Sequence, residues 1–396
     1  MNPVSGSARY IEPHGWREPA RTAPLWEDRC LPYNLVVLRL SIIVPFHKNL
    51  DHLTACLASL ARLRPEPEII VVADAARDDC HALVARHRAR LLEIDGPSGP
   101  SVARNRGAAI ASGDLLVFVD ADVVAPPESL AELDSLFTRD SRVDAAFGAY
   151  DETPLAPNFI SQYKNLAHSY IHQSANRVAQ TFWAGFGAVR ASAFRAIGGF
   201  DERFVRPSVE DIDLGYRLTA AGHLVILDHE LRVQHLKRWT FRSLIESDIR
   251  DRGIPWTQLI LRSQRAHDDL NLRSGYRVSV VLAYLVALGA TLALMDARAL
   301  LVAAGAAVAM LPLNAPVYRF FVQRRGVLFA LRVAPLHFLY HLYNGFSFVV
   351  GSALYLAARH LGLRLPGALP LEPWPSVASA VAPRTGTEVR DSVQVD

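Results

Sequence analysis

Short apolar runs alternate with helical patterns along the first two thirds of the chain. The runs that predict buried strands are LRLSIIVPF (38–46), EIIVVAD (68–74) and DLLVFVDAD (114–122). The segments that predict helices are 50–63, 79–91 and 101–112. Strand and helix in alternation predict an α/β domain with a doubly wound, mostly parallel sheet. Ligands on such a sheet bind outside the carboxyl ends of the strands.

A nearly continuous apolar region occupies residues 278–358 in the C-terminal third. Its three stretches are 278–294, 300–318 and 335–358. The first two are near the lower limit for crossing the ~30 Å hydrocarbon layer of a bilayer, and the third is long enough to cross it. We therefore predict a membrane domain of two to three helices. A buried helical domain is the alternative.

The basic residues of this region bear on its orientation. Arg319, Arg324 and Arg325 indicate a cytoplasmic loop. We therefore expect a multi-pass protein of the inner cell membrane whose catalytic domain faces the cytoplasm. A further crossing would put the next arginines outside, so a re-entrant or interfacial segment over 319–345 is the alternative topology.

Composition narrows the class of protein. The chain has 396 residues, 51% of them hydrophobic, and a formal net charge of +3. It has no basic run interleaved with aromatic residues, which argues against nucleic acid as a partner. Cys30, Cys56 and Cys80 are widely spaced, so we expect neither a zinc site nor a disulfide framework, and a reducing compartment.

These patterns divide the chain into segments. We predict an N-terminal extension at 1–38, a catalytic domain at 39–265 and a disordered tail at 365–396. The extension lacks the apolar segment of a secretory signal, because charges and prolines interrupt it. Within the catalytic domain, 239–262 has an amphipathic pattern, which we interpret as a segment between the domain and the membrane. Ordinary core is the alternative.

Asp120 and Asp122 stand at the end of an apolar run, with no basic residue between them. Residues i and i+2 of a strand point to the same side, so we expect both carboxylates to face one point. Such a pair is unfavourable without a cation, and carboxylate oxygens suit Mg²⁺ or Mn²⁺, which take their other ligands from water and substrate phosphates. The pattern favours a metal–diphosphate site. Two solvated acids in an exposed turn are the alternative.

A second acidic group, Glu210, Asp211 and Asp213, opens a helical pattern after a Gly-Gly turn. Acids at a helix N-terminus are stabilised by the helix dipole, which is their ordinary role. Three acids within four positions exceed what capping requires. A crowded cluster of this kind can keep one carboxylate available as the general base for an alcohol.

Five segments in order carry a family resemblance. They are SIIVPFHKN, EIIVVAD, ARNRGAAIASGDLLVFVDAD, WAGFGAVRASAFRAIGGFDERF and VEDIDLGYRLTAAG. Over residues 39–240 the chain resembles the inverting family 2 glycosyltransferases, which have the GT-A fold. The resemblance implies a GT-A-type, Rossmann-like α/β domain, followed here by C-terminal transmembrane helices.

The resemblance implies that the early strands bind the nucleotide. Pro45 corresponds to the nucleotide-binding loop, and Asp74 to the acid that contacts the base. The family's usual sequence there has two acids followed by Gly-Ser, whereas this chain has VVADAARDD, so the identity of the base stays open. The helix with Arg104 and Arg106 resembles the segment near the diphosphate; a solvated arginine face is the alternative.

The two acidic groups also acquire roles by resemblance. Asp120 and Asp122 match the family's motif for the metal and the nucleotide diphosphate. Asp211 matches the expected general base, with Glu210 as its acidic neighbour. Three roles stay open for Asp213: capping the helix, orienting Asp211 and a direct part in the reaction.

The segment VQHLKRWTF (233–241) is similar to the Gln-x-x-Arg-Trp motif of processive members, with His235 in the place of the glutamine. The resemblance implies that His235 is a metal ligand or a diphosphate contact, and that Arg238 binds phosphate. Two roles stay open for Trp239: stacking on a sugar and anchoring the segment at the bilayer surface. The substitution at His235 argues against a processive polysaccharide synthase.

The implied activity is a metal-dependent, inverting transfer of a sugar from a nucleotide-diphosphate sugar to a hydroxyl acceptor. A lipid-linked or polyprenyl-linked acceptor is one option, the cofactor is Mn²⁺ or Mg²⁺, and the reaction takes place at the cytosolic face of the membrane. A nucleotidyltransferase would require a Gly-rich basic loop, which VPFHKNLDH is not. A non-catalytic membrane scaffold that retains the fold is disfavoured by the intact acids.

Overall fold

The computed structural model describes residues 38–64, 66–263, 272–363 and 365–370 of the chain. All of these residues belong to one compact unit. The predicted N-terminal extension up to residue 37 and the predicted disordered tail beyond residue 370 lie outside the described residues.

The secondary structure alternates between strands and helices before three long helices end the described part. The strands are β1 (Leu40–Phe46), β2 (Glu68–Asp74), β3 (Arg90–Ile94), β4 (Leu115–Val119), β5 (Val123–Val124), β6 (Val143–Tyr150), β7 (Phe186–Arg190) and β8 (Leu224–His235). The shorter helices are α1 (Leu50–Leu60), α2 (His81–Arg86), α3 (Pro100–Ile110), α4 (Ser129–Arg139), α5 (Phe159–Ser174), α6 (Ala191–Ala196), α7 (Glu210–Ala220), α8 (Phe241–Glu246) and α9 (Ile254–Ser263). A π-helical segment, Ser247–Gly253, joins α8 to α9, and the long helices are α10 (Ser274–Leu292), α11 (Ala299–Arg325) and α12 (Val327–Leu361).

The strands form a mixed, mostly parallel sheet in the order β3-β2-β1-β4-β7-β6-β8-β5. β1 to β4 pair in parallel where they touch, and β6 is parallel to β8. β7 runs antiparallel to both β4 and β6, and β5 is antiparallel to β8. The predicted α/β fold with a mostly parallel sheet is confirmed, and the carboxyl ends of β1, β2 and β4 meet at one edge.

The prediction of a helix over 79–91 is wrong in its second half. α2 ends at Arg86, and β3 begins at Arg90. Between them Arg88 has a left-handed φ of 53°, a conformation that an α-helix cannot include. Among the described strands β3 pairs with β2 alone and forms the edge of the sheet, which is why its short pattern RLLEI carries little strand signal.

Helix α3 lies directly on the sheet. A Cβ atom at Gly107 would stand 2.5 Å from the Ile43 side chain of β1, so only glycine permits this approach. Ala103, one turn earlier, is fully buried in the same core. The close contact carries the N-terminal half of α3, including Arg104, to the carboxyl end of the sheet.

Two of the long helices, α10 and α11, are long and apolar enough to cross a membrane. Only four of the exposed large apolar side chains in the described residues precede residue 242, and the others all lie between Val278 and Leu365. So large an apolar surface in one region is typical of membrane contact. The third predicted span, 335–358, lies inside α12, which is not among these candidates and packs along α9 and the π-helical segment.

The predicted amphipathic stretch 239–262 forms α8, the π-helical segment and α9. Its Asp248 is buried and joins three elements: it pairs with Lys164 of α5 and accepts a hydrogen bond of 2.7 Å from the Tyr343 hydroxyl of α12. This stretch therefore connects the sheet domain to the long helices, and its predicted position between the domain and the membrane stays a prediction.

Candidate active site

Asp120 and Asp122 lie in a tight turn between β4 and β5 and not within a strand. The turn closes with a hydrogen bond from the Val123 amide to the Asp120 carbonyl oxygen, 3.0 Å long. The strand geometry that we expected for this pair is therefore wrong, because β4 ends at Val119. The two carboxylates nevertheless remain close enough for each charge to act on the other.

Arg104 holds the first of these carboxylates. Its Nη2 lies 2.8 Å from Oδ1 of Asp120, and its Nη1 lies 2.9 Å from Oε1 of Glu210. The guanidinium is only 5% exposed, so both ion pairs form in a medium of low dielectric constant. Burial raises the pKa of Asp120, against the pull of Arg104, and the neighbouring Asp122 raises it further.

The second carboxylate faces His235. Antiparallel pairing of β5 with β8 sets Val123 opposite His235, and this places Nε2 of the ring 3.4 Å from Oδ2 of Asp122. Burial alone would raise the pKa of Asp122, but His235 first and Lys237 next lower it to about 2. The carboxylate is therefore ionised at neutral pH.

His235 is oriented by the residues around it. Its Nδ1 lies 3.0 Å from Oδ1 of Asn165, and its ring stacks on Tyr150 with 4.2 Å between centroids. An Nε2–H that faces Asp122 accounts for the lowered pKa of that carboxyl. The tautomer with Nδ1–H donated to Asn165 instead frees Nε2 to bind a metal ion, which is the usual arrangement of a metal-binding histidine.

This geometry fits a divalent cation with a limited set of protein ligands. Asp122 and His235 present an oxygen and a nitrogen to one point, whereas Asp120 is turned to Arg104. Among the residues that the structure describes, no three His, Cys, Asp or Glu side chains converge. A cation here would take its remaining ligands from phosphate oxygens and water, as Mg²⁺ and Mn²⁺ commonly do.

Pro45 and Asp74 lie at the carboxyl ends of adjacent strands. Pro45 is the penultimate residue of β1 and stands opposite Val72 of β2. The buried Asp74 ends β2, and its two oxygens accept the backbone N–H groups of Ser98 and Gly99 at 2.8 and 2.7 Å. Asp74 therefore holds the loop that leads into α3, at the edge of the sheet where ligands of such folds bind.

The three acids at the start of α7 point in three directions. Glu210 is buried and accepts from Arg104 with one oxygen and from the Ser208 amide with the other. Asp213 is fully buried in an ion pair with Arg217, 2.8 Å long, which gives it a packing role. Only Asp211 is half-buried and faces open space.

Asp211 has the electrostatics of a general base. Its Oδ2 accepts the Ala184 amide at 3.3 Å, and its side chain lines a cavity. Burial raises the pKa of Asp211 to about 7, the adjacent Glu210 charge acts in the same direction, and Arg104 opposes them. A carboxylate with a pKa near neutrality can both accept and release a proton at physiological pH.

The other two residues of the predicted motif, Arg238 and Trp239, differ in exposure. Arg238 is exposed, whereas Trp239 is only 4% exposed. The Trp239 amide donates to Ser161 of α5 at 2.7 Å, and its carbonyl oxygen accepts from Asn158 at 2.8 Å. Trp239 thus fixes the chain to α5, and its buried ring is not presented for stacking on a sugar.

A cavity of about 570 Å³ extends from Asp211 to the long helices. Most of its walls are apolar or aromatic, and they include Trp183, Phe182, Tyr340 and Phe348. A volume in this range is typical of small-molecule sites. The sheet edge and the apolar helices therefore share one internal space, with the carboxylate of raised pKa at its wall.

The comparison with protein families agrees with this geometry. The sequence model of the family described as "Glycosyl transferase family 2" matches residues 41–198. The chain contains a family 2 glycosyltransferase domain. The match includes β1 to β7 and both ion-paired carboxylates of the Asp120 turn, whereas the acids of α7 and His235 lie beyond it.

Curated relatives are similar over the same region. The validoxylamine A glucosyltransferase of Streptomyces hygroscopicus subsp. limoneus is 27% identical, over 46% of this chain and 48% of its own. The succinoglycan biosynthesis protein ExoA of Rhizobium meliloti is 31% identical, over 46% of this chain and 59% of its own. The chain thus spans about half the length of the curated relatives it matches.

A solved structure shares the fold of the family 2 domain. The mannosyltransferase PcManGT from Pyrobaculum calidifontis, determined in complex with GDP-Man and Mn²⁺, superposes with a TM-score of 0.50 at 17% sequence identity. The superposition covers 79% of this chain and 87% of that one. The GT-A-type fold implied by the sequence motifs is therefore confirmed.

Sequence reasoning missed the cavity and some of its polar residues. Lys164, Asp248 and Arg252 line it, yet they come from α5 and the π-helical segment, outside every motif. One feature of the sequence could have drawn attention to Lys164: the chain has only three lysines among its 42 basic residues. No local pattern distinguishes Arg252 from the other arginines of its segment.

Proposed function

We propose that the protein is an inverting glycosyltransferase that moves a sugar from a nucleoside diphosphate sugar to a hydroxyl acceptor. The observation that carries this proposal is the half-buried Asp211, whose pKa of about 7 and place at the cavity wall suit a general base. Through Glu210 and Arg104 this residue is connected to the Asp120 turn. The family 2 domain supports the reaction class.

The donor nucleotide lies along the carboxyl ends of β1, β2 and β4 in this proposal. Pro45 and Asp74 shape the nucleotide end, with Asp74 holding the loop of Ser98 and Gly99 in place. Arg104 keeps Asp120 in position beside the diphosphate. Arg238, which is exposed and lies three residues after His235, contacts a phosphate of the donor in this proposal.

A divalent cation, Mn²⁺ or Mg²⁺, is the proposed cofactor at Asp122 and His235. Their facing oxygen and nitrogen atoms support this assignment, as does Mn²⁺ bound to the Pyrobaculum calidifontis mannosyltransferase of the same fold. The cation would neutralise the negative charge that develops on the departing diphosphate. Arg104 binds one oxygen of Asp120, the other acid of the turn.

Asp211 removes the proton of the acceptor in the proposed step. The acceptor oxygen then forms a bond to the anomeric carbon of the sugar, while the bond from that carbon to the diphosphate oxygen breaks. The nucleoside diphosphate leaves with the electron pair, and Asp211 retains the proton. One displacement inverts the configuration at the anomeric carbon, and the apolar cavity limits access of water, which would otherwise compete as acceptor.

The proposed site of action is the cytoplasmic face of the inner cell membrane, with a multi-pass anchor. Two helices of sufficient length and apolarity, α10 and α11, support membrane association, as does the exposed apolar surface after Val278. Arg324 and Arg325 at the end of α11 support the cytoplasmic assignment of that end.

The test is the isosteric substitution Asp211→Asn, measured for sugar transfer and for nucleotide binding. Transfer should fall by about 10²–10⁴-fold, because the amide cannot accept the proton, whereas nucleotide affinity stays near that of the wild type. Asp213→Asn is the matched control two residues away: it should lower thermal stability but leave transfer by the folded protein largely intact. Wild-type turnover in the Asp211→Asn protein would overturn the assignment.

A further inference from the structure

The cavity beside Asp211 contains one charged side chain that lacks a partner. Lys164 pairs with Asp248, and Asp211 accepts the Ala184 amide, whereas Arg252 makes no hydrogen bond or ion pair with any residue in the described part of the chain. A half-buried guanidinium without a protein acceptor keeps its N–H donors available to an anion that enters the cavity. Such a group indicates a binding site for an anion.

The position of Arg252 is set by tight packing. It lies in the π-helical segment, a rare form that is frequent at functional sites. The next residue, Gly253, lies so near α12 that a Cβ atom there would stand 2.6 Å from the Ser347 hydroxyl. Asp248, one turn earlier, is anchored to Tyr343 of the same helix. The guanidinium therefore projects from a segment that α12 holds rigidly.

Arg252 and Asp211 share the polar end of the cavity. The positive charge of Arg252 acts on Asp211, on the half-buried His168 and on the buried His172, which also line this space. An anion bound at Arg252 would thus lie within reach of the carboxylate that we assign as the base.

The opposite end of the cavity is apolar and reaches the outside of the helices. Val281 of α10 and Phe348 of α12 line the cavity and are still 61% and 57% exposed. Next to these two residues, Gly345 of α12 packs directly against the Tyr284 ring of α10. The wall of the cavity therefore continues into the apolar surface of the helices α10 and α12.

We propose that this cavity is the acceptor site and that it binds a lipid-linked acceptor, with the lipid chain between α10 and α12 and an anionic phosphate group on Arg252. This inference rests on the proposed glycosyl transfer and names the acceptor class for it. The hydroxyl of the same head group then lies beside Asp211. Arg252 supplies charge-assisted hydrogen bonds to the phosphate and is a binding residue for the acceptor, not for the donor.

The test measures equilibrium binding of radiolabelled oleyl phosphate, oleyl alcohol and inorganic phosphate to the full-length protein in detergent. Oleyl phosphate should bind more tightly than the other two compounds. Arg252→Gln should weaken oleyl phosphate binding by about tenfold or more and leave oleyl alcohol binding unchanged, because only the phosphate uses the guanidinium. Arg252→Lys should bind oleyl phosphate with an affinity between those of the wild type and Arg252→Gln, since lysine keeps the charge without the planar guanidinium.

Arg250→Gln is the matched control, because Arg250 lies two residues earlier in the same segment but is exposed and paired with Asp251. It should bind oleyl phosphate like the wild type. Equal affinity for oleyl phosphate and oleyl alcohol would overturn the assignment of Arg252. If inorganic phosphate bound as tightly as oleyl phosphate, the site would be one for free anions, and the assignment of a lipid-linked acceptor would be overturned.

A second pair of variants tests the lipid chain without touching Arg252. Val281→Trp fills the cavity wall, whereas Val278→Trp adds the same bulk on α10 at an exposed position outside the cavity. Only Val281→Trp should reduce oleyl phosphate binding. Equal effects of the two variants would contradict a chain between α10 and α12.

Nucleotide binding on the same preparations separates this inference from the proposed function. If nucleotide binds and the Arg252 variants leave lipid binding unchanged, the acceptor assignment fails alone. If oleyl phosphate binds through Arg252 but no nucleoside diphosphate binds, the glycosyl transfer fails and the lipid site stands.

Discussion

Arg104 and Glu210 form a buried ion pair, with Nη1 of the arginine 2.9 Å from Oε1 of the glutamate, although 106 residues separate them. The same guanidinium binds Asp120. One side chain thereby fastens the start of α7, where Asp211 lies, to the turn after β4. Because both partners are at most 5% exposed, the alignment of the two acidic groups depends on an interaction that water scarcely screens.

Glu210→Gln should lower the free energy of unfolding by about 3 kcal/mol, since it leaves the buried Arg104 with part of its charge uncompensated. Chemical unfolding in detergent, followed by tryptophan fluorescence, measures the change. Glu246→Gln is the control, because it removes an exposed pair with Arg242 and should leave stability close to that of the wild type. Similar changes in the free energy of unfolding for the two variants would contradict the stabilising role assigned to the ion pair of Glu210 with Arg104.

Asp211 should make the protein less stable as pH rises. Its pKa of about 7 in the folded state exceeds that of an ordinary aspartate, about 3.9 when unfolded, so the folded state holds an extra proton between these values. The contribution is fully favourable below about pH 4 and is lost as pH rises through 7. Asp211→Asn should therefore be more stable than the wild type at pH 8, by about 1–2 kcal/mol, with little difference at pH 4.

Unfolding curves of both proteins at pH 4 and pH 8 test this expectation. In the same wild-type preparation, the transfer rate should rise with pH through about 7, because the base must be deprotonated to act. If the difference in stability between the two proteins did not change with pH, the group that titrates near pH 7 would be a residue other than Asp211.

Removal of the cation ligands should abolish the effect of metal on nucleotide affinity. Asp122→Asn and His235→Ala should each bind a nucleoside diphosphate equally with Mn²⁺ and with a chelator, whereas the wild type binds more tightly with Mn²⁺. Gln234→Ala, which changes the neighbour of His235, should retain the difference. Calorimetric titration measures all four proteins. A metal effect that survives in both ligand variants would locate the cation elsewhere.

Asp74→Asn should weaken nucleotide binding by loosening the loop before α3. One of the two backbone N–H groups, that of Ser98 or Gly99, would face the new NH₂ and lose its acceptor, at a cost of about 1–3 kcal/mol. Asp51→Asn, at an exposed position of α1, is the control and should bind normally. Hydrogen exchange at Ser98 and Gly99 should accelerate only in Asp74→Asn; unchanged exchange would contradict the loop-holding role.

Much of the fold could be predicted because its signals are local. The apolar runs of β1, β2 and β4 are buried on both faces of a parallel sheet, so they appear as continuous apolar segments. The helices α10 and α11 were equally legible, because spanning length and apolarity are properties of a single segment. β3 escaped prediction because an edge strand of five residues shares its polarity with a helix end.

The identities of the site residues were legible, but their partners were not. The motifs pointed to Asp120, Asp122, Glu210, Asp211 and His235 without indicating that Arg104 would bind two of these acids. The pairing of β5 with β8, which sets His235 beside Asp122, depends on a strand of only two residues. Such contacts arise between segments about a hundred residues apart, and no local pattern encodes them.

The sequence by itself determined the α/β class, the family and the acids available for chemistry, because burial period, helix length and motif order are written in neighbouring residues. Only the tertiary structure decided which acid is free, since Arg104 and Arg217 occupy Glu210 and Asp213 and leave Asp211 facing the cavity. The same holds for Arg252, which has no ion pair within the described residues and reaches the cavity from a segment packed against α12. Ion pairing and cavity shape are decided by long-range packing, which brings together residues that the chain keeps apart.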